Sequence, residues 1–428
     1  MNKRNKTISA AGLMLLLMVA MVSCRGGDDY ISLGINDSYY IPRMKKLLLS
    51  PAYEGSNYRW TLTLPSGQDT VVATTRNYVF IQSKEGVYNM NLYIDNGKEE
   101  YTHSFPITVV HEETEYSPYI SNVYEYKPAP GQFINVMPQY EEGDDTEDMR
   151  QKVELLLRGR NPATGSTDDG SGLISLGAYG GYVTFGFDHT VMNVPGEKDF
   201  YIKGNSFYSD IPEYGQRRGG SCEPGIVMAA FDRNGNGRPD EDEWYELAGS
   251  EYHKPTTIKH YSITYHRPDI NKKPTPDASG IIPDTSYISW NDNRGVQGHV
   301  YKIRQHQQAY YPEWIKEDEM TFSGTLLPPN GEDVSGQRTY FVLYSYPWGY
   351  ADNHPNDSTN LCSFDLDWAV DAEGRSVHLP GADFIRVYTG VNQVCGWIGE
   401  TSTEVGGAQD LHILPIENKK LIFKHINK

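Results

Sequence analysis

The strongest chemical motif of the sequence is an acidic segment with two glycines at residues 232–243. Its oxygen-bearing residues fall on the ligand positions of a twelve-residue EF-hand-type calcium loop, with Gly237 at the sharp turn: Asp232, Asn234, Asn236, Arg238 through its carbonyl oxygen, Asp240 and Glu243. Calcium is a hard cation that takes about six to eight oxygen ligands in flexible geometry. The sequence therefore predicts bound Ca²⁺, with a metal-free turn rich in Asp, Asn and Gly as the alternative.

The flanks of this loop decide what kind of calcium site it would be. Residues 226–231 before it and 244–247 after it are typical of strands, whereas a calcium sensor places the loop between two helices. The loop is therefore expected to be a fixed hairpin tip. A structural ion held there would raise stability by mass action.

A second candidate chemistry lies in Asp365 and Asp367, which alternate along an apparent strand and could face one cavity. Glycosidases need such a pair of carboxyl groups, but a second cation site or a solvated surface would also account for it. The sequence has no nucleophile elbow, zinc helix or phosphate loop, and His189, His299 and His306 lack ligand spacing and are expected in turns or the core. We expect no enzyme activity, with a glycan hydrolase as the alternative.

Aromatic residues beside turn-forming residues are the better indication of binding. Trp348, Tyr350 and Trp397 have glycine neighbours and are the predicted ligand-binding residues. Loop aromatics offer flat apolar faces with polar edges, which suit sugars or a large planar cofactor. The alternative is that these rings close the ends of a β-sandwich as core.

The N-terminus predicts the compartment. Residues 1–23 combine a basic start with an apolar stretch, which is typical of a cleaved signal peptide. They end in Met-Val-Ser before Cys24, which resembles a bacterial lipobox and predicts lipidation of Cys24 and a membrane anchor. Residues 24–29 would form a tether whose acidic residues are either a surface-export signal or simply solvated. Without the lipid, Cys24 would be an ordinary thiol.

Composition narrows the class of protein. The 428 residues carry 56 acidic against 38 basic side chains, and a net charge of −18 argues against nucleic acid as a partner. The 41 Gly and 25 Pro favour a loop-rich β protein, and the length allows two or three domains. Cys222, Cys362 and Cys395 lack paired metal-ligand spacing and allow at most one disulfide.

Two β domains are predicted. Residues 30–112 contain alternating strands, and 85–95 resembles the penultimate strand of PKD-type immunoglobulin-like domains. After a proline-rich linker, residues 113–428 are predicted to form a larger jelly-roll-like sandwich that contains the calcium loop. One helix is expected there, ending near residues 158–159, with Thr146 as its cap and one apolar face: Met149, Val153 and Leu156.

Several segments of the second domain resemble a family of bacterial cell-surface proteins: 175–207, 220–225 with the calcium loop, 364–371, 384–392 and 399–404. The resemblance spans roughly 116–414, and members look like Bacteroidetes surface lipoproteins with a PKD-like module before a jelly roll. Some resemble accessory lipoproteins encoded beside TonB-dependent corrinoid (vitamin B12) transporters. The resemblance implies an outer-membrane lipoprotein, exposed at the cell surface, that captures a nutrient, most plausibly a corrinoid, for a TonB-dependent transporter complex. A carbohydrate-binding or adhesion lipoprotein is the alternative.

Overall fold

The structure is a computed structural model that describes residues 33–63, 67–112, 114–159, 172–209 and 217–413. The predicted signal peptide, Cys24 and the tether lie outside these residues. Strands dominate the described chain and pack as sandwich-like sheets, which confirms the mainly β class. Among the described residues, no helix has the length and apolar character needed to cross a membrane.

The first unit contains seven strands: β1 (Tyr39–Pro42), β2 (Leu47–Leu49), β3 (Asn57–Thr63), β4 (Asp69–Ala73), β5 (Tyr78–Phe80), β6 (Gly86–Asp95) and β7 (Glu100–Val110). Five of them form one sheet in the order β1-β7-β6-β3-β4, and β2 pairs with β5. The β1–β7 pairing is parallel. On β6, Met90, Leu92 and Ile94 point inward because alternate side chains of a strand share a face. They bury Trp60, whose indole N–H donates to the Thr75 carbonyl at 3.0 Å.

The second unit holds the remaining elements: β8 (Asn122–Lys127), α1 (Thr146–Leu157), β9 (Ile174–Ser175), β10 (Tyr182–Gly186), β11 (Val191–Met192), β12 (Phe200–Lys203), β13 (Phe207–Tyr208), β14 (Gly219–Ser221), β15 (Gly225–Ala230), β16 (Trp244–Leu247), β17 (Ile258–His266), β18 (Asp284–Asp292), β19 (Gln297–Lys302), β20 (Glu319–Leu326), β21 (Gly331–Asp333), β22 (Phe341–Tyr344), β23 (Ser363–Phe364), β24 (Ala369–Val370), β25 (Gly381–Ala382), β26 (Phe384–Thr389), β27 (Glu404–Val405) and β28 (Gly407–Asp410). Short 3-10 turns occupy Glu241–Glu243, Leu366–Trp368 and Gly396–Ile398.

A six-stranded antiparallel sheet, in the order β24-β16-β15-β26-β10-β8, forms the centre of this unit. Both of its faces are covered. Val227 and Val387 face one apolar cluster, whereas Ile226 and Tyr388 face the other, which includes residues of the four-stranded sheet β19-β18-β17-β20. Four smaller sheets complete the unit: β13-β14-β22-β21, β23-β12-β28, β11-β25 and β27-β9.

The helix differs from its prediction by one residue at the cap. Asp145, not Thr146, is the N-cap, and its side chain accepts from the amides of Glu147 and Asp148. The Asp148 side chain accepts the Asp145 amide in return, which completes a capping box. Met149 and Val153 are buried as expected, but Leu157 rather than Leu156 completes the buried face.

The two units are in contact. Met44 and Ile81 of the first unit belong to the same buried apolar cluster as Phe187 and Val387 of the second. Arg43 also pairs with Glu112, which ties the end of β1 to the segment between the units. The first unit therefore packs against the second through buried side chains.

Asp145→Ala should lower the free energy of unfolding by about 1 kcal/mol, because it removes the acceptor for two helix-terminal amides. Thr146→Ala is the matched control, since Thr146 is exposed at the first helical position, and it should change stability by less than about 0.5 kcal/mol. Urea denaturation followed by tryptophan fluorescence measures both. Equal losses would contradict the assignment of the cap.

Candidate functional site

The predicted calcium loop joins two neighbouring strands. β15 ends at Ala230 and β16 begins at Trp244, and these two residues are partners across the antiparallel pair. The flanks are therefore strands, as the sequence indicates, and the segment between them is a hairpin tip. The 3-10 turn Glu241–Glu243 returns the chain directly into β16.

Within the loop, Asp232 organises the backbone. Its Oδ1 accepts the amides of Gly235 and Asn236 at 2.7 and 3.1 Å, and its Oδ2 accepts the amide of Gly237 at 3.1 Å. Gly235 and Gly237 adopt φ of +72° and +71°, the left-handed region that side chains disfavour. The backbone therefore wraps around the Asp232 carboxylate.

Three of the other predicted ligands lie together in this turn. The side-chain amides of Asn234 and Asn236 both donate to Asp240 Oδ2 at 2.7 Å, so these three predicted ligands are in contact. Their own carbonyl oxygens accept amides further along the loop: Asn234 Oδ1 from Asn236, and Asn236 Oδ1 from Arg238. The structure thus brings four of the six predicted ligands together: Asp232, Asn234, Asn236 and Asp240.

Glu243, at the last ligand position, supplies the test of whether a metal fits. The residue is only 2% exposed; its Oε1 accepts the Arg233 amide at 2.8 Å, while Oε2 has no hydrogen-bond partner among the described residues. Burial is the main cause of the raised pKa of this carboxyl. A buried oxygen without a partner is costly, and a hard cation would satisfy it. The residues present fit calcium.

A pocket of about 310 Å³ lies beside the loop, between the two units. Asp232 and Gly237 of the loop line it together with Lys46 of the first unit and the ring of Tyr124. At its wall His189 is held between two carboxylates, 2.7 Å from Asp188 and 2.8 Å from Asp410. Burial lowers the pKa of His189, but the two carboxylates outweigh this and leave it raised.

An exposed pair of tryptophans lies elsewhere on the second unit. The ring of Trp348 is 38% exposed, and its centroid is 4.7 Å from that of half-buried Trp368 at an interplanar angle of 53°. Trp348 precedes Gly349, whose φ of +91° brings it so close to Gly249 that a Cβ would lie 2.5 Å from the Gly249 Cα. We call Trp348 and Trp368 the aromatic platform.

Charged groups border the aromatic platform. The Lys198 ammonium lies 3.6 Å from the Trp368 ring centroid and 3.6 Å from Asp365 Oδ2. Asp367 is exposed, and its Oδ1 accepts the side-chain amide of Asn193 at 2.9 Å. The structure therefore brings the predicted residue Trp348 near the acidic pair, through Trp368, which is not among the predicted ligand-binding residues.

The acidic pair itself differs from expectation. Asp365 and Asp367 do not alternate along a strand; Asp365 caps the 3-10 turn Leu366–Trp368, and its Oδ1 accepts the Asp367 amide at 3.0 Å. Burial is the main cause of the raised pKa of Asp365. Acidic residues at positions i and i+2 are compatible both with one face of a strand and with a capped turn. The sequence pattern therefore did not distinguish the two.

The other two predicted ligand-binding residues lie apart from the platform pair. Tyr350 is 2% exposed, and its hydroxyl accepts the Glu251 amide at 3.0 Å. The prediction that Tyr350 binds ligand is therefore wrong, because the residue lies in the core. Trp397 is 36% exposed on the 3-10 turn Gly396–Ile398, where its indole N–H donates to the Thr339 carbonyl at 3.1 Å.

The second unit also contains a buried carboxyl cluster that was not predicted from the sequence. Oxygens of Glu223, Asp352 and Glu404 lie within 4.8 Å of one another, and all three residues are buried. Asp352 accepts the amides of Asn205, Ser206 and Glu404. These carboxyl residues come from widely separated segments, so no local spacing could have revealed them.

Burial controls the protonation of this cluster. The pKa of Glu223 is raised to about 8. Burial is the largest cause, and the charge of nearby Asp352 adds to the shift. Burial also raises the pKa of Glu400 to about 8 and holds those of Asp352 and Glu404 well above their ordinary range. The native state therefore keeps protons on carboxyls that would be ionised in water.

The three cysteines other than Cys24 lie within the described residues. Cys222, Cys362 and Cys395 are buried, and none of them forms a disulfide within the described residues. Burial raises the pKa of Cys362 and of Cys395 to about 12, so these thiols are poor nucleophiles at neutral pH.

Stability should fall as the pH rises from about 4.5 to about 8. Unfolding would let Glu223 return to its ordinary value of 4.5, so across this window the native state binds more protons than the unfolded chain. The stabilisation is full below pH 4.5 and lost by pH 8. Glu404→Gln, which keeps a donor near Glu223, should raise the melting temperature at pH 8 by about 3 °C and flatten the slope.

Thermal scans in chelator-containing buffers from pH 5 to 8.5 measure this dependence. Glu115→Gln is the control, because Glu115 is exposed and should leave the slope unchanged. A slope for Glu404→Gln equal to that of the unmodified protein would contradict the assignment.

No protein-family model matches this sequence, and no curated protein matches it. Among solved structures, the chain is similar to a quinonprotein alcohol dehydrogenase-like protein from Bacteroides thetaiotaomicron, with 14% identity and a TM-score of 0.16 over 21% of each chain. It is similar to a structure of carbohydrate-binding modules from the β-sandwich superfamily, with 12% identity and a TM-score of 0.14 over 88% of this chain and 94% of the other. A SusE-like protein gives 7% identity and a TM-score of 0.20 over 90% and 99%. Scores of this size carry no argument about this chain.

Proposed function

We propose that this chain is a cell-surface lipoprotein that binds glycans on the aromatic platform and does not cleave them. The observation that carries the proposal is the exposed Trp348 ring set against Trp368. Sugars present apolar C–H faces that pack on indole rings, while their hydroxyls need polar partners at the edge. Lys198 and Asp367 supply a donor and an acceptor there.

Binding without cleavage is supported by what the acidic pair already does. A glycosidase places one carboxyl group on each side of the bond to be cleaved. Asp365 instead caps a turn through the Asp367 amide, and Asp367 accepts from Asn193. A hydrolase would need both carboxyl groups to face a substrate from opposite sides, so turnover on a glycan panel tests this part of the proposal.

The location and partners rest on the sequence. The lipobox-like segment before Cys24 supports a lipid anchor, and the family resemblance supports an outer-membrane, surface-exposed position beside a TonB-dependent transporter complex. A corrinoid, which the same resemblance implies, is the second candidate ligand, since its large planar ring would also pack on the flat Trp348 face.

Trp348→Ala should weaken glycan binding by about tenfold or more, because a stacked indole at the centre of a site carries much of the binding free energy. Trp397→Ala is the matched control: its ring is equally exposed but belongs to a different surface turn, so affinity should stay within about twofold. Calorimetric titration of the soluble chain with neutral oligosaccharides, and separately with cyanocobalamin, measures both.

The outcomes separate the candidates. Oligosaccharide binding that depends on Trp348 supports the proposal, whereas cyanocobalamin binding with no response to glycans would replace it with the corrinoid function. If Trp397→Ala abolished glycan binding and Trp348→Ala did not, the binding site would lie at Trp397 and not on the aromatic platform. Hydrolysis of any bound glycan would overturn the non-enzymatic assignment.

We further propose that the 232–243 loop holds a structural Ca²⁺. The support is the buried Oε2 of Glu243, which no described residue hydrogen-bonds, together with the turn that Asp232 organises. Asp232, Asn234, Asn236, Asp240, Glu243 and the Arg238 carbonyl would be its ligands. The ion would offset the clustered negative charge of the loop.

Saturating Ca²⁺ should raise the melting temperature by about 5 °C or more over chelator-treated protein, since a ligand at about a hundred times its Kd stabilises by about 2.7 kcal/mol. Glu243→Gln should abolish this shift. Asp242→Asn removes the same charge from an exposed neighbour outside the ligand positions and should preserve the shift. Absence of any calcium effect on the unmodified protein would exclude the site.

A further inference from the structure

We infer that Lys46 of the first unit competes with calcium for the loop of the second unit, and so sets the calcium affinity of the site. The inference rests on the calcium site proposed above. It adds a residue that lies far from the loop in sequence and that no ligand motif contains.

The contacts of the Lys46 ammonium carry the argument. It lies 3.1 Å from the Asp232 carbonyl oxygen and 3.4 Å from Asp232 Oδ2, the first predicted calcium ligand. It also lies 3.1 Å from Asp383 Oδ2. A fixed positive charge from another part of the chain thus occupies the edge of the calcium site.

Asp383 holds the arrangement in place. The Oδ2 that meets Lys46 also accepts the Asp232 amide at 2.8 Å, and Oδ1 accepts the Thr190 hydroxyl at 2.6 Å. Asp383 therefore fixes both the lysine and the start of the loop. If Lys46 moved away, the Asp383 carboxylate could move with it only by losing its hydrogen bonds to Asp232 and Thr190.

Burial makes the ammonium effective. The side chains of Lys46, Asp232 and Asp383 are 24%, 6% and 15% exposed, so solvent and salt screen their interaction less than that of a surface pair. The ammonium also lies 5.2 Å from the centroid of the Phe231 ring. These contacts hold the Lys46 ammonium beside the loop.

Packing of the two units places Lys46 at the loop. Met44, two residues earlier, is buried in the apolar cluster of the second unit. Lys45, between them, is exposed. Packing of the first unit against the second therefore also places the Lys46 charge beside the loop.

The sign of the effect follows from charge. A divalent cation in the loop and the Lys46 ammonium repel each other while both are attracted to the Asp232 carboxylate. Docking therefore weakens calcium binding, and calcium weakens docking by the same factor, because coupling between two binding events is reciprocal. At contact distance, even in a high dielectric, this repulsion corresponds to about tenfold in affinity.

Calorimetric titration of Ca²⁺ into the metal-free soluble chain tests the inference. Lys46→Met should tighten calcium binding by about tenfold. Lys45→Met removes the same charge one residue away and should stay within about twofold of the unmodified protein. Lys46→Arg keeps the charge and should also stay close to it.

The possible failures are distinguishable. Unchanged or weaker calcium binding in Lys46→Met, with normal binding in the unmodified protein, overturns the competition but leaves the calcium site intact. Equal tightening in Lys45→Met would also overturn it, since long-range charge would then suffice. Absence of calcium heat in the unmodified protein removes the site and the inference together. Lys46→Gln replaces Lys46→Met if the latter does not fold.

Discussion

The antiparallel pairing of β15 with β26 is the constraint on which the candidate sites depend. It runs from Gly225 opposite Thr389 to Ala230 opposite Phe384, in the middle of the six-stranded sheet. The C-terminal end of β15 leads to the 232–243 loop, and its N-terminal end follows Glu223 of the buried carboxyl cluster. Because both faces of this strand are buried, its register cannot slip without turning Ile226 and Val227 to the wrong clusters.

The same strand explains why the two acidic clusters behave differently. The carboxyl cluster lies inside the protein, where Glu223, Asp352 and Glu404 are satisfied by amides, hydroxyls and shared protons. The loop lies at the tip of the hairpin, where one buried oxygen of Glu243 has no hydrogen-bond partner in the part of the chain that the structure describes. Protons relieve the first cluster, whereas the proposed Ca²⁺ would relieve the second.

Features whose partners are close in sequence were predictable. The flanks of the 232–243 loop are strands, as their residue types indicate. Met149 and Val153 lie on the helix face that packs against the protein core, as their spacing indicates. The cap was misplaced by one residue because Asp145 and Thr146 are both good capping residues, and only the reciprocal bond to Asp148 distinguishes them.

Features that depend on distant contacts were not predictable. Trp348 and Tyr350 share the same local setting, yet one ring is exposed and the other is buried against Tyr346, since the close approach of Gly349 to Gly249 turns the chain between them. The Lys46–Asp232 contact and the carboxyl cluster join segments far apart in the chain, and local spacing carries no signal for either.

The parallel pairing of β1 with β7 has a mechanical consequence. Tyr39 lies opposite Ile107 and Pro42 opposite Val110, so both strands run the same way at the two ends of the first unit. A pull between the chain before β1 and the second unit would drag these strands past each other lengthwise. Their hydrogen bonds would share the load and fail together, whereas a hairpin pulled from its open end unzips one bond at a time. The first unit is thus built to resist stretching when the protein is held at its N-terminus and its far end bears a load.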